Sequence, residues 1–259
     1  MKRPILMIYG IATYALFNAS FLYLAGFLQE FAVPKAINDG TLVPVYEALA
    51  INIGLVFLFG FFHSLMAREH FKQWWTQYVP VEAERTTYVL QSALFLGLAM
   101  WQWQPMPEVI WHVEGIFAYG MIGLFFVGMA TLLTSTFLID HFELFGLKQV
   151  WFASSHRDIP EPTFKTPLLY KIVRHPMQLG VVITVFATPH MTVGHLVFAS
   201  AMTVYVVIGL YFEERSLVRE FGDVYREYQR TTPMLFPGIG PRSTAFSELS
   251  PAISGKRGS

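Results

Sequence analysis

Two short polar runs in an otherwise apolar chain hold the residues best suited to bind a charged small molecule. The first reads Arg174-His175-Pro176-Met177-Gln178-Leu179-Gly180; the second is Glu213-Glu214-Arg215, followed by Phe221-Gly222, Tyr225, Tyr228 and Pro233. A proline after His175 disfavours helical backbone at the histidine and suits the first position of a helix, so Arg174 and His175 are expected where the chain turns into that helix. The start of the helix presents unpaired N–H groups and the positive end of its dipole, which favour a carboxylate or another anion. Gly180, one turn on, permits close approach of a ligand or of a neighbouring helix. Carboxylates at Glu213 and Glu214 suit an amino group or paired ribose hydroxyls. Together these residues describe a pocket for a zwitterionic or nucleoside-like ligand.

Ionisable residues within or at the edge of a membrane are costly, and each is a functional candidate by default. Besides the two runs these are His63, Asp140, His141 and Glu143. The bland alternative is a salt bridge or cap facing solvent. For His63 taken alone a structural role is favoured, and for Glu143, Lys148 and Arg157 a solvated surface is the better reading.

The elements that must position these groups are membrane helices. Of the 259 residues 54% are hydrophobic and 14% charged, where a soluble domain carries about a quarter charged. The chain is expected to be an all-α, polytopic integral membrane protein with four spans and a C-terminal transmembrane hairpin. The spans are predicted near residues 5–31, 46–66, 87–103 and 115–139. The hairpin has a short arm at 177–188, a turn at 189–194 and a long arm at 195–212, the short arm holding too few residues to cross a bilayer unaided. Residues 68–86, with Trp74, Trp75 and Tyr78 beside cations, suit the interface, and 213–230 reads as an amphipathic surface helix. Residues 1–259 form one membrane domain, 140–237 its cytoplasm-facing, cofactor-binding part and 238–259 a loose tail. With a cytoplasmic N-terminus, all of the 18 lysines and arginines except Lys35 fall on cytoplasmic segments, a strong positive-inside bias. That places the C-terminus and every charged cluster on the same face.

The absence of cysteine removes disulfides, thiolate metal sites and a cysteine nucleophile, so any thiol chemistry belongs to a substrate. No metal site is expected. No glycine-rich dinucleotide fingerprint or P-loop is present, and no basic run interleaved with aromatics points to nucleic acid.

The combination Arg174-His175-Pro176-x-x-x-Gly180, Glu213-Glu214, Leu217, Phe221-Gly222, Tyr225, Tyr228 and Pro233 resembles the membrane methyltransferases related to isoprenylcysteine carboxyl methyltransferase. Gln178 departs from the tyrosine frequent in those proteins. Over most of the chain, His63-Ser64-Leu65-Met66-Ala67-Arg68, Glu84-Arg85-Thr86-Thr87-Tyr88-Val89-Leu90, Trp101-Gln102-Trp103-Gln104-Pro105 and Asp140-His141-Phe142-Glu143-Leu144-Phe145-Gly146-Leu147 look like the NnrU-like branch of bacterial methanethiol S-methyltransferases. The resemblance implies an enzyme of the bacterial inner membrane that uses S-adenosylmethionine from the cytoplasm to convert methanethiol to dimethyl sulfide. It implies a cofactor shell of Tyr170, Arg174, His175, Pro176, Gly180, Tyr205, Glu213 and Glu214.

In that reaction a thiolate attacks a sulfonium methyl in line and opposite charges cancel, which a dry, aromatic enclosure favours. Tyr88, Phe137, Phe142 and Tyr205 are candidates to face the sulfonium. His141 beside Asp140 is the first candidate for the base that takes the thiol proton, with His63 and His175 behind it. Adjacent helical residues diverge, so Asp140 and His141 need not touch. Another thiol, a lipid-like acceptor or a carboxylate remains an alternative substrate. A haem-containing membrane isomerase is the alternative of another class, with His63, His141 and His175 as axial candidates.

Overall fold

The computed structural model describes residues 3–155 and 164–239. His156, Arg157 and the expected tail from residue 240 on lie outside the described residues. In chain order the helices are α1 (Arg3–Gln29), α2 (Val45–Met66), α3 (Glu69–Trp75), α4 (Val81–Gln102), α5 (Gly115–Ile139), α6 (His141–Leu144), α7 (Leu147–Ser155), α8 (Pro176–Phe186), α9 (Val193–Phe221) and α10 (Asp223–Thr231). Helices α1, α2, α5 and α9 are long and apolar enough to cross a membrane. A helix satisfies its backbone internally, which lipid requires. The protein is thus an all-α polytopic membrane protein. At 11 residues α8 reaches only about 16 Å, roughly half the hydrocarbon depth.

Three boundaries differ from those expected. Helix α4 begins at Val81, with Glu82, Glu84 and Arg85 in its first turns, where the apolar run starts at residue 87. The turn at 189–194 contains a short strand, β2 (His190–Thr192), paired antiparallel with β1 (Val109–His112). Helix α9 runs on to Phe221, so Glu213 and Glu214 lie inside it, and the single surface helix expected over 213–230 is broken at Gly222. An apolar run marks only the stretch at hydrocarbon depth, while backbone hydrogen bonding continues past it. Gly222 ends α9 because its φ of 59° and ψ of −129° suit glycine almost alone.

The helices follow one another around the molecule as α1, α4, α2, α9, α8 and α5, each packed on the next. A bond between Tyr14 on α1 and His141, just past α5, closes the circuit. At one end the middle fills with Phe27, Leu28, Val56, Met100, Trp103, Phe125, Val185, Ala187, Phe198 and Ala199, drawn from all six helices. Asn52 on α2 locks this end by both donating to and accepting from the Gln104 backbone, each at 2.8 Å. Lys35, the cation set apart by the charge count, donates here to the carbonyls of Trp101 and Trp103. At the other end the middle is polar, and the site residues gather there.

The closest helix contact is α5 on α8. A Cβ on Gly180 would lie 2.6 Å from the Leu132 nitrogen and 2.7 Å from the Gly128 oxygen, and one on Gly128 would lie 2.6 Å from Thr184 Oγ1. Gly180 therefore serves a neighbouring helix. We expect Gly180→Ala to force α8 off α5 and cost about 1–3 kcal/mol, the usual penalty of overpacking. A thermal melt in lipid nanodiscs checks this, and an unchanged melt would mean the two helices can separate freely.

Candidate functional site

Arg174, His175 and Glu214 come together as a buried clamp. Arg174 meets the Glu214 carboxylate with two parallel bonds of 2.9 and 3.0 Å, and its Nη1 donates to the carbonyls of Gln229 and Thr232. His175 Nε2 lies 2.6 Å from Glu214 Oε1; Tyr225 Oη donates to the same oxygen at 2.8 Å, and Gln229 donates to Oε2. The Glu214 carboxylate thus faces five donors, more than its lone pairs need. The backbone N–H groups of Arg174 and His175 donate to Pro233 and Met234. The clamp fixes the start of α8 to α9, α10 and the segment after them, with Pro176 buried at the first helical position. Burial, then the bond to Glu214, pushes the Tyr225 phenol above its ordinary value, so it stays a donor.

Glu213, next in the chain, is placed differently. Its carboxylate is 45% exposed, receives Gln178 Nε2 at 3.2 Å and stands 3.9 Å from His175 Nδ1. No lysine or arginine lies within ion-pair distance among the described residues. Tyr88, Tyr170 and Tyr205 lie within electrostatic reach of Glu213. Tyr170 is held in its 3-10 turn by the Tyr228 hydroxyl on its carbonyl. Burial, then the Glu213 charge, raises its phenol above the ordinary range.

A second cluster is built by α2, α4 and α9. His63 is hydrogen-bonded through Nε2 to the Tyr88 hydroxyl, and its ring centroid lies 4.8 Å from Tyr88, 5.4 Å from Phe59 and 6.0 Å from Tyr205. Gly60 admits Tyr205, since a Cβ there would lie 2.6 Å from the ring.

Asp140 and His141 do not form the expected carboxylate–imidazole pair. Asp140 caps α6 by accepting from the Glu143 N–H and pairs with Lys148, which also bridges to Glu143. Burial opposes the Asp140 charge, but the bonds from Lys148 and Glu143 outweigh it and hold the carboxyl below its ordinary 3.8. His141 is buried, with Tyr14 Oη 2.7 Å from Nε2 and Thr136 Oγ1 2.8 Å from Nδ1. Because the Thr136 hydroxyl donates to Leu133 O, it accepts from Nδ1–H, leaving Nε2 to accept from Tyr14. The neutral imidazole is thereby satisfied at both nitrogens, and burial lowers its pKa from 6.5. A base role for His141 would require Tyr14 to swing off Nε2.

The sign of the pH effect follows. An imidazole that resists protonation when folded but accepts a proton near pH 6.5 when unfolded costs stability as pH falls through that value. We expect the melting temperature of the wild type to fall more between pH 7 and about 5 than that of His141→Gln. Parallel curves for the two proteins would contradict it.

The family described as NnrU protein matches residues 51–242. The chain belongs to the NnrU family. Methanethiol S-methyltransferase 2 of Bradyrhizobium diazoefficiens is 45% identical over 249 residues, spanning 96% of this chain and 96% of that protein. Methanethiol S-methyltransferase 1 of the same organism is 48% identical over 234 residues, 90% of this chain and 82% of that protein. Methanethiol S-methyltransferase of Mycobacterium tuberculosis is 46% identical over 238 residues, 92% of this chain and 98% of that protein. No solved structure matches the chain.

In this NnrU-family protein the expected residues therefore divide. Glu213 stands beside His175 and Gln178; His63 and Tyr205 pack together with Tyr88; Arg174 and Glu214 brace the start of α8; Gly180 packs on α5. Of the aromatic candidates, Tyr88 and Tyr205 flank His63, whereas Phe137 stacks on His141 at 3.9 Å and is 56% exposed, and Phe142 is 53% exposed. Of the three axial candidates of the haem reading, His141 has both ring nitrogens bonded to protein groups, while His63 and His175 are bonded chiefly through Nε2. Sequence reasoning missed Tyr14, Gln229 and Thr136 as partners. The Tyr225–Gln229 spacing of i, i+4 on one helix face was a usable signal for Gln229; Tyr14, one hydroxyl among Tyr9, Thr13, Ser20 and Tyr23 in the same apolar helix, offered none.

Proposed function

We propose that this protein is an integral membrane methyltransferase of the bacterial cytoplasmic membrane, moving the methyl group of S-adenosylmethionine to methanethiol and releasing dimethyl sulfide. A site facing the cytoplasm is supported by the sequence count, in which a cytoplasmic N-terminus would put every lysine and arginine except Lys35 on cytoplasmic segments. The observation that carries the reading is the contrast between neighbouring carboxylates. Glu214 is saturated by its own protein, while Glu213 has no lysine or arginine partner among the described residues and lies within electrostatic reach of Tyr88, Tyr170 and Tyr205. Relatives 45–48% identical carry the name methanethiol S-methyltransferase.

The donor set fits S-adenosylmethionine. Glu213 offers an acceptor to the α-amino group or the ribose hydroxyls. The first turn of α8, with Met177 and Gln178 N–H groups free of helical partners, offers donors to the carboxylate. Tyr88 and Tyr205 present aromatic surface to a sulfonium. When bound, the cofactor supplies an electrophilic methyl on that sulfonium. The clamp of Arg174, His175 and Glu214 fixes where α8 begins and so sets the attack distance. The apolar plug closes the far end and keeps water from the region where charges cancel. His63, bonded to Tyr88, and His175, with Nδ1 toward the site, are the imidazoles able to take up a proton there.

Purified protein in nanodiscs, given labelled S-adenosylmethionine and methanethiol, should release labelled dimethyl sulfide into the headspace. Label passing only to a larger thiol, a lipid-like acceptor or a carboxylate would shift the assignment to that substrate. Absence of cofactor binding by calorimetry would reject a methyltransferase altogether.

A further inference from the structure

Arginines at this end of the molecule differ in how fully they are used. Arg174 commits four of its five N–H groups to Glu214, Gln229 and Thr232. Arg85, on α4, donates only Nε, to Leu144 O at 2.8 Å. That bond fixes the guanidinium plane and leaves both terminal amino groups without a protein acceptor among the described residues. No carboxylate lies within ion-pair distance of Arg85 among those residues, although it is half-buried. Its guanidinium carbon stands 4.9 Å from the Tyr88 ring centroid, and its charge is felt by both Tyr88 and His63. A half-buried cation with free forked donors and no counter-ion is a seat for an anion.

We infer that Arg85 holds the methyl acceptor as its thiolate, in a subsite formed with Tyr88 and His63 opposite Glu213. The inference rests on the thiol methyltransferase reading above and assigns the acceptor's side of that site. The two unsatisfied charges are then complementary to the two reactants: Glu213 is anionic toward a cationic donor, and Arg85 is cationic toward an anionic acceptor. Tyr88, over which the Arg85 guanidinium lies, is within electrostatic reach of both. The remaining charged or titratable groups around Tyr88 are His63, Glu84 and Tyr205. Before methyl transfer the acceptor S–H bond breaks and its proton passes to solvent. A sulfur lone pair then forms the new C–S bond to the methyl, and the electrons of the broken methyl–sulfonium bond return to the donor sulfur. No oxidant or reductant is needed. An alkyl thiol is mostly protonated at neutral pH, so stabilising its anion raises the reactive fraction directly.

The test uses full-length wild type, Arg85→Lys and Arg85→Gln in nanodiscs. For each, calorimetry gives the affinity for S-adenosylmethionine, a thermal melt gives stability, and headspace assays give kcat and KM for methanethiol across pH. Arg85→Gln is expected to raise the thiol KM at least tenfold and to move the rising limb of the kcat/KM profile upward by about one pH unit, the lower range for losing an adjacent opposite charge. Cofactor affinity should stay within about twofold. Arg85→Lys should recover most of the pH shift, because it restores charge while losing the fixed fork. An unchanged thiol KM and pH profile in Arg85→Gln would overturn the inference, as would a loss confined to cofactor affinity, which would place Arg85 on the donor carboxylate. A parallel fall in stability and both affinities would also overturn it, reducing Arg85 to a brace for Leu144. Absence of methanethiol methylation by the wild type would instead refute the function on which the inference rests.

Discussion

Arg174→Ala is expected to lower the stability of the protein by about 3–5 kcal/mol, because it leaves the Glu214 carboxylate buried without its forked partner. The side chains of Arg174 and Glu214 are 8% and 12% exposed, so water cannot replace the lost bonds. The same substitution frees the carbonyls of Gln229 and Thr232, which Arg174 joins to the start of α8. Turnover should fall with stability, since α8 no longer begins at a fixed point. Arg174→Lys should recover little, because an ammonium cannot reproduce the two parallel bonds and the two carbonyl contacts at once. Thermal melts and cofactor titrations on both variants decide the matter. A normal melt with only cofactor affinity lost would show that Arg174 touches the ligand instead.

Glu213→Gln should have the opposite signature. The replacement keeps the shape and the contact to Gln178, and Glu213 pairs with no lysine or arginine among the described residues, so the melt should barely move. Affinity for S-adenosylmethionine should fall by about 10- to 100-fold, the value of a hydrogen bond to a charged group of about 1.5–3 kcal/mol. Calorimetric titration reads this directly. Equal affinity in wild type and variant would remove Glu213 from the site, and an accompanying collapse in stability would make it a second brace.

These opposite expectations for neighbouring glutamates show where sequence reasoning reaches its limit. Residues 213 and 214 are identical in type, and both stand in a helix one position apart. That step turns the side chain by about 100°, sending Glu214 into the contact between α9, α10 and the start of α8 and Glu213 toward the tyrosines. Asp140 and His141 diverge for the same reason. Their proximity in sequence suggested an oriented base, but the backbone turns at Asp140, which caps α6, while His141 faces Tyr14 and Thr136.

The sequence by itself determined that this is a helical membrane protein, because hydrocarbon imposes long apolar runs and self-satisfied backbones that composition reports directly. It also placed the start of α8 through His175-Pro176. Only the tertiary structure decided which charges are spent and which are free. That depends on donors arriving from distant segments: Gln229 and Tyr225 from α10 fill Glu214, Leu144 O from α6 takes one donor of Arg85, and Glu213 receives only Gln178, with His175 nearby, among the described residues. Saturation of a charge is a property of three-dimensional neighbours, and in this chain it separates the residues that hold the site from those offered to its ligands.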